Sequence, residues 1–148
     1  MNFLLENHTY NLVKLPKGRK VLKNKWVFIL KNDRKNLRYK ACLVVKGFGQ
    51  KKSINFDEIF SPVVKMSSIR VVLGMAATMN LEVEQLDVKT VFLHGDLEEE
   101  IYMEQPEGFV EKGKEKFACK LKKSLYGLKQ APRQWYKKFD SFMMNNGF

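Results

Sequence analysis

The pattern between Trp26 and Val45 restricts the fold of this chain more than any other stretch. Trp26-Val27-Phe28-Ile29-Leu30 is rich in β-branched and aromatic residues, Asn32-Asp33-Arg34-Lys35-Asn36 is polar, and Leu37 to Val45 is apolar again, which predicts an antiparallel hairpin. On the second strand, period-two alternation puts Arg38, Lys40, Cys42 and Val44 on one face and Tyr39, Ala41, Leu43 and Val45 on the other. One side is thus suited to a core and the other carries cations. The basic face either clamps a phosphate or is simply solvated.

The rest of the chain reads as alternating short strands and helices. Tyr10 to Leu15 is strand-like, Pro16-Lys17-Gly18 a turn, and Lys46-Gly47-Phe48-Gly49-Gln50 a loop. After the break at Ser61-Pro62, a helix capped by Ser67 or Ser68 carries Ile69, Val72, Leu73 and Ala76 at the spacing of a buried stripe and ends near Met79-Asn80. Leu81 to Val88, Ile101 to Met103 and Phe117 to Leu121 read as strands. Pro132 suits the first turn of a last helix, with Trp135, Phe139, Phe142 and Met143 as its apolar stripe and Gly147 as its stop. These elements predict one α+β domain over 1–148, with antiparallel strands and packed helices.

Asp87 lies between Leu86 and Val88, although Asp is disfavoured in strands. Burying its charge without a partner costs several kcal/mol, roughly, so it needs either hydrogen-bond donors or a hard cation such as Mg²⁺. Spacing alone leaves both readings open. Glu98-Glu99-Glu100 reads as a solvated strand entry, because neighbouring side chains in an extended segment point to opposite sides.

Charge is segregated along the chain. In residues 1–75, 16 Lys and Arg against 4 Asp and Glu leave +12; in 76–111, 1 against 10 leaves −9; in 112–148, 10 against 2 leaves +8. Cations flanking a carboxylate block suit a protein that grips a polyanion and holds a metal, or else a set of solvated faces. Cys42 and Cys119 match no metal-ligand spacing, and no stretch is long and apolar enough to cross a bilayer or to act as a signal peptide. A reduced, soluble intracellular protein without membrane contact is the expectation.

Taken in order, several blocks resemble the reverse transcriptase domain of Ty1/copia-type retrotransposon Pol polyproteins. They are Lys25-Trp26-Val27-Phe28, Arg38-Tyr39-Lys40-Ala41, Val45-Lys46-Gly47-Phe48, Phe60 to Lys65, Gln85 to Tyr102 with the following Met-Glu-Gln-Pro-Glu-Gly-Phe, and Leu121 to Phe139. The resemblance implies an RNA-directed DNA polymerase with a right-hand fold, of which 1–80 would be fingers-like and 81–148 the start of the palm with a returning helix. It implies Asp87 as the first catalytic carboxylate, Mg²⁺ held by Asp87 and the Val88 backbone carbonyl, and nucleotide contacts at Lys40, Phe92, Tyr126, Gly127 and Gln130. Phe92 would crowd the sugar against a 2′-hydroxyl. Arg38, Lys129 and Arg133 would contact nucleic acid. The implied partners are an RNA or DNA template-primer, deoxynucleotide triphosphates and the remainder of the Pol polyprotein.

Two features depart from the family pattern. Cys42 stands where Arg is usual, and a thiol cannot replace a guanidinium fork on phosphate. The aromatic-x-Asp-Asp segment that brings the remaining catalytic aspartates does not occur in the 148 residues. The expectation is an N-terminal portion of such an enzyme that lacks activity alone. The alternative is a non-catalytic basic nucleic-acid-binding relic of a decayed element.

Overall fold

The computed structural model describes residues 2–33 and 36–148. Arg34 and Lys35, part of the expected polar turn, lie outside the described residues. A short helix, α1 (Asn2–Glu6), precedes strand β1 (Tyr10–Lys14). The expected hairpin is present as β2 (Asn24–Asp33) and β3 (Asn36–Val45), in register from Asn24 opposite Val45 to Asp33 opposite Asn36. Helix α2 (Met66–Thr78), strands β4 (Tyr102–Met103) and β5 (Phe117–Leu121), and helix α3 (Ala131–Asn145) follow.

Strand β5 is the centre of a three-stranded sheet ordered β1-β5-β4, antiparallel at both seams. Leu22 extends it beyond β4. Its N–H donates to the Tyr102 carbonyl at 2.8 Å, and its carbonyl accepts the Glu104 N–H at 2.9 Å. The chain is therefore fixed to the sheet just before the hairpin begins.

The hairpin is core at its root and solvent-facing at its arm. Leu43 and Val45 are buried, whereas Tyr39 is 82% and Phe28 75% exposed. Two bonds anchor the root: Trp26 Nε1 donates to the Glu107 carbonyl at 3.1 Å, and Asn24 Nδ2 donates to the Glu104 carbonyl at 2.8 Å. The Trp26 ring also meets Phe109 at 5.7 Å. Alternation thus placed Leu43 and Val45 correctly, but the apolar face reaches the core only near the sheet.

The core collects side chains from many short pieces, including Leu22, Val45, Ile101, Met103, Cys119 and Leu128. Each large aliphatic side chain buried there contributes about 1.5–3 kcal/mol. Burial also pushes the Cys119 thiol up to about 12, so it behaves as a small apolar residue.

Three expectations before the last helix require correction. Helix α2 begins after Lys65, so Ser67 and Ser68 lie inside its first turn and no side chain caps it. Of its expected buried stripe only Ala76 is buried; Ile69, Val72 and Leu73 are exposed, because no neighbouring element covers that face among the described residues. Residues 81–88 form no strand. They pair with no strand among the described residues, and a strand without a neighbour has no ladder to hold it.

Helix α3 packs through only part of the expected face. Ala131 and Gln134 are buried and Trp135 and Met143 half-buried, while Phe139 and Phe142 are exposed. Its end follows the sequence. Gly147 takes φ +82°, the Phe148 N–H bonds the Met143 carbonyl, and the Gly147 N–H bonds the Met144 carbonyl, so the last carbonyls are satisfied. No helix among the described residues is long and apolar enough to cross a membrane.

Candidate functional site

Two loops distant in sequence meet at the root of the hairpin. One leaves β3 through a 3₁₀ turn at Gly47–Gly49; the other, 124–130, leads into α3. The Val45 N–H donates to the Tyr126 carbonyl at 2.7 Å. The contact has no room for side chains: a Cβ on Gly47 would stand 1.9 Å from the Gly127 carbonyl oxygen, and one on Gly127 would stand 2.0 Å from that of Val45. Gly127 also holds φ +92°, a conformation that a Cβ disfavours. Glycine is required here by protein backbone.

A buried amide clasp sits beside this contact. Gln50 Nε2 donates to Gln130 Oε1 at 2.9 Å, and Gln130 Nε2 donates to the Asn55 carbonyl at 2.9 Å. Gln50 Oε1 accepts the Lys129 N–H at 2.9 Å. Gln130 is fully buried, so each lost partner leaves an amide group unsatisfied. The Lys129 ammonium donates to the Gln50 carbonyl at 3.3 Å and stands 5.0 Å from the centre of the Phe56 ring. Arg133 Nη1 donates to the Phe60 carbonyl at 3.1 Å, tying the segment before α2 to the start of α3.

Phe92 belongs to a second 3₁₀ turn, Val91–His94, entered through Thr90 at φ +54°. Its ring meets Tyr126 edge-on at 4.7 Å. The next turn is held against α3: Gly95 lies so close to Gln134 that an added Cβ would come within 2.9 Å of the Gln134 Cβ. The structure thus brings Phe92, Tyr126, Gly127, Lys129, Gln130 and Arg133 to one region. Gln130, Lys129 and Arg133 are engaged in intramolecular bonds there.

Asp87 and Val88 lie in the exposed stretch before this turn, and Asp87 makes no hydrogen bond or ion pair among the described residues. Its carboxylate is solvated, so burial does not create the need for a cation inferred from the expected strand. No group of three or more His, Cys, Asp or Glu able to hold a metal occurs among the described residues. One carboxylate with an adjacent carbonyl fits part of a Mg²⁺ shell, which commonly takes one or two carboxylates together with waters and substrate phosphates. The following acids are ion-paired. Asp96 meets Lys123, Glu98 meets Lys137 at 2.9 Å, and Glu100 meets Arg19 at 3.1 Å and Lys120. The Lys120 ammonium holds the Glu100 carboxyl below its usual range.

Arg38 and Lys40 are exposed on the hairpin arm. Cys42, between Lys40 and Val44, is half-buried, and burial raises its thiol pKa. The Gln50–Gln130 clasp and the Gly47–Gly127 contact were absent from the sequence reading. The glycines marked loops, but a single sequence does not tell which loops touch.

Comparison with known proteins covers the whole chain. Residues 7–148 match the family model described as reverse transcriptase (RNA-dependent DNA polymerase). The chain is 70% identical over 150 residues to a retrovirus-related Pol polyprotein from transposon TNT 1-94 of Nicotiana tabacum, spanning all of this chain and 11% of that protein. It is 43% identical over 151 residues to the retrovirus-related Pol polyproteins from transposons RE1 and RE2 of Arabidopsis thaliana, again over its full length and 10% of theirs. No solved structure was found to match. The chain therefore spans about a tenth of the length of these relatives, and over that span it belongs to the reverse transcriptase family.

Proposed function

We propose that this chain contributes the fingers, over about 1–80, and the start of the palm, over 81–148, to an RNA-directed DNA polymerase of a copia-type retrotransposon, and that it does not extend a primer alone. The observation that carries this reading is the 4.7 Å contact of Phe92 with Tyr126. It joins the stretch just after Asp87 to the loop holding Gly127, two blocks for which the family resemblance implies nucleotide contacts.

In this reading the Asp87 carboxylate and the Val88 carbonyl hold Mg²⁺ together with carboxylates from an aromatic-x-Asp-Asp segment outside these 148 residues. Bound Mg²⁺ supplies positive charge for the attacking 3′-hydroxyl and the pyrophosphate leaving group. Phe92, braced edge-on by Tyr126, forms the wall that the sugar meets. Lys40 and Arg38 stand on the hairpin arm, free to meet phosphates. Tyr126 presents a ring face to the base pair, while Gly127, closed against the Val45 carbonyl, sets the course of the loop that carries it. Gln130 acts from behind through Gln50 and Asn55, holding that loop in place. Lys129 and Arg133 exchange their bonds to the Gln50 and Phe60 carbonyls for phosphates of the template-primer.

Primer extension with Mg²⁺ tests this. The 148-residue chain should give no product, and a longer Pol segment that adds aromatic-x-Asp-Asp should give template-dependent product. In the longer protein Asp87→Asn should abolish synthesis without changing its circular dichroism. Product from the short chain would overturn the inactivity, and product from the Asn variant would overturn the metal role.

The exposed basic arm favours a second reading, a non-catalytic nucleic-acid-binding relic. If the longer segment binds a template-primer in a salt-dependent way yet makes no product, this reading replaces the first.

A further inference from the structure

A cavity of about 360 Å³ opens between the segment that leads into the hairpin and the loop that leaves it. Arg19, Lys20 and Lys23 line it from the first, and Lys46, Phe48 and Lys51 from the second. None of the hairpin-arm or α3 cations assigned above lines it. We propose that this cavity binds one nucleotide unit, its lysines taking the phosphate and Phe48 stacking on the base, as a separate contact for a single strand.

The charge on its walls is unbalanced. Five cations face one carboxylate, Glu100, and Glu100 is already shared between Arg19 and Lys120. Lys20, Lys23, Lys46 and Lys51 form no ion pair among the described residues, and such a cluster in a concave wall focuses positive potential on an anion. Phe48 is 84% exposed at the same wall, offering a ring face that contributes nothing to the core. Cations beside an open aromatic ring are the combination that holds single-stranded nucleic acid without reading its sequence.

The walls are also preset. The Lys46 N–H bonds the Lys23 carbonyl at 2.7 Å, joining the two segments. The Lys51 N–H bonds Asn55 Oδ1 at 3.0 Å, and Gln50 is locked to Gln130. Less ordering therefore remains to be done when a ligand enters.

This inference rests on the nucleic-acid reading above only for the strand as the source of the nucleotide. The test is fluorescence anisotropy of a labelled oligothymidylate titrated with the 148-residue protein over a salt series. Phe48→Ala should weaken binding about 10-fold, the size of one lost stack. Lys20→Gln with Lys51→Gln should lower the salt slope by up to about 0.7, the contribution of one neutralised single-strand phosphate. These side chains are exposed, so circular dichroism should match the parent.

Competition by deoxythymidine triphosphate as strong as that by the unlabelled oligomer would keep the site and make a free nucleotide its source. Unchanged binding in both variants, with loss on Arg38→Gln and Lys40→Gln, would overturn the cavity and leave the polymerase reading intact. No binding by the parent would also overturn it, whereas the polymerase reading stands or falls on primer extension by the longer segment.

Discussion

Residues 101–131 and residues 59–90 are both rich in apolar side chains, yet only the first stretch uses them. In the first, Ile101, Met103, Cys119, Leu121 and Leu128 are each 4% exposed or less. In the second, Val63, Val72, Leu81 and Leu86 are 88%, 63%, 57% and 85% exposed, although α2 is a regular helix. The first stretch has partners on both sides, β1 and Leu22 across the sheet and the hairpin root beside it. The second meets few. An amphipathic pattern specifies a face able to be buried, and burial then depends on a neighbouring surface.

Glycines probe this difference most sharply. Gly127→Ala should cost on the order of 3 kcal/mol, combining overpacking with left-handed strain, because its Cβ would meet the Val45 carbonyl at φ +92°. A Cβ on Gly74, within α2, meets nothing within 4 Å, so Gly74→Ala should gain up to about 1 kcal/mol of helix propensity. Denaturant midpoints of the two variants check this. Similar losses in both would mean that α2 is covered.

Side-chain truncation gives the next largest contrast. Leu43→Ala removes a buried side chain and should cost about 2–5 kcal/mol. Val72→Ala, on the open face of α2, should stay within about 0.5 kcal/mol of the parent. Amide exchange provides an independent measure: α2 should exchange well before β5, since its hydrogen bonds lack buried cover.

What the sequence conveyed divides along the same line. The hairpin, the Phe117–Leu121 strand, the last helix and the Gly147 stop were legible because alternation, Pro132 and a terminal glycine act locally. The face of α3 that packs was not, because Gln134 rather than Phe139 or Phe142 meets the close approach of Gly95. Of the candidate site, Phe92, Tyr126 and Gly127 come together as one region, though 125–130 and 85–92 gave no local sign of touching. Asp87 was read inside a strand, and its place in an exposed, irregular stretch follows because no strand pairs with 81–88 among the described residues.

The smallest effect concerns ionic contacts. Glu100 holds Arg19 and Lys120 beside the sheet, whereas Glu82, Glu84 and Asp87 have no ion pair among the described residues. The Lys120 hydrogen bond and charge lower the Glu100 pKa in the folded state, below its usual 4.5. As pH falls, the unfolded chain therefore takes up this proton first. The contribution is fully present above pH 4.5 and is lost as pH drops through the lower, folded value. Glu100→Gln should accordingly flatten this part of a plot of denaturant midpoint against pH in acid. Because both partners are solvent-exposed, salt should shrink the difference between parent and variant. A Glu84→Gln variant at neutral pH and low salt supplies the contrast: that side chain has no ion pair to lose among the described residues, so its denaturant midpoint should match the parent's. If Glu84→Gln lowered that midpoint as much as Glu100→Gln, the 59–90 stretch would hold ionic contacts of its own, and the division between the two regions would fail.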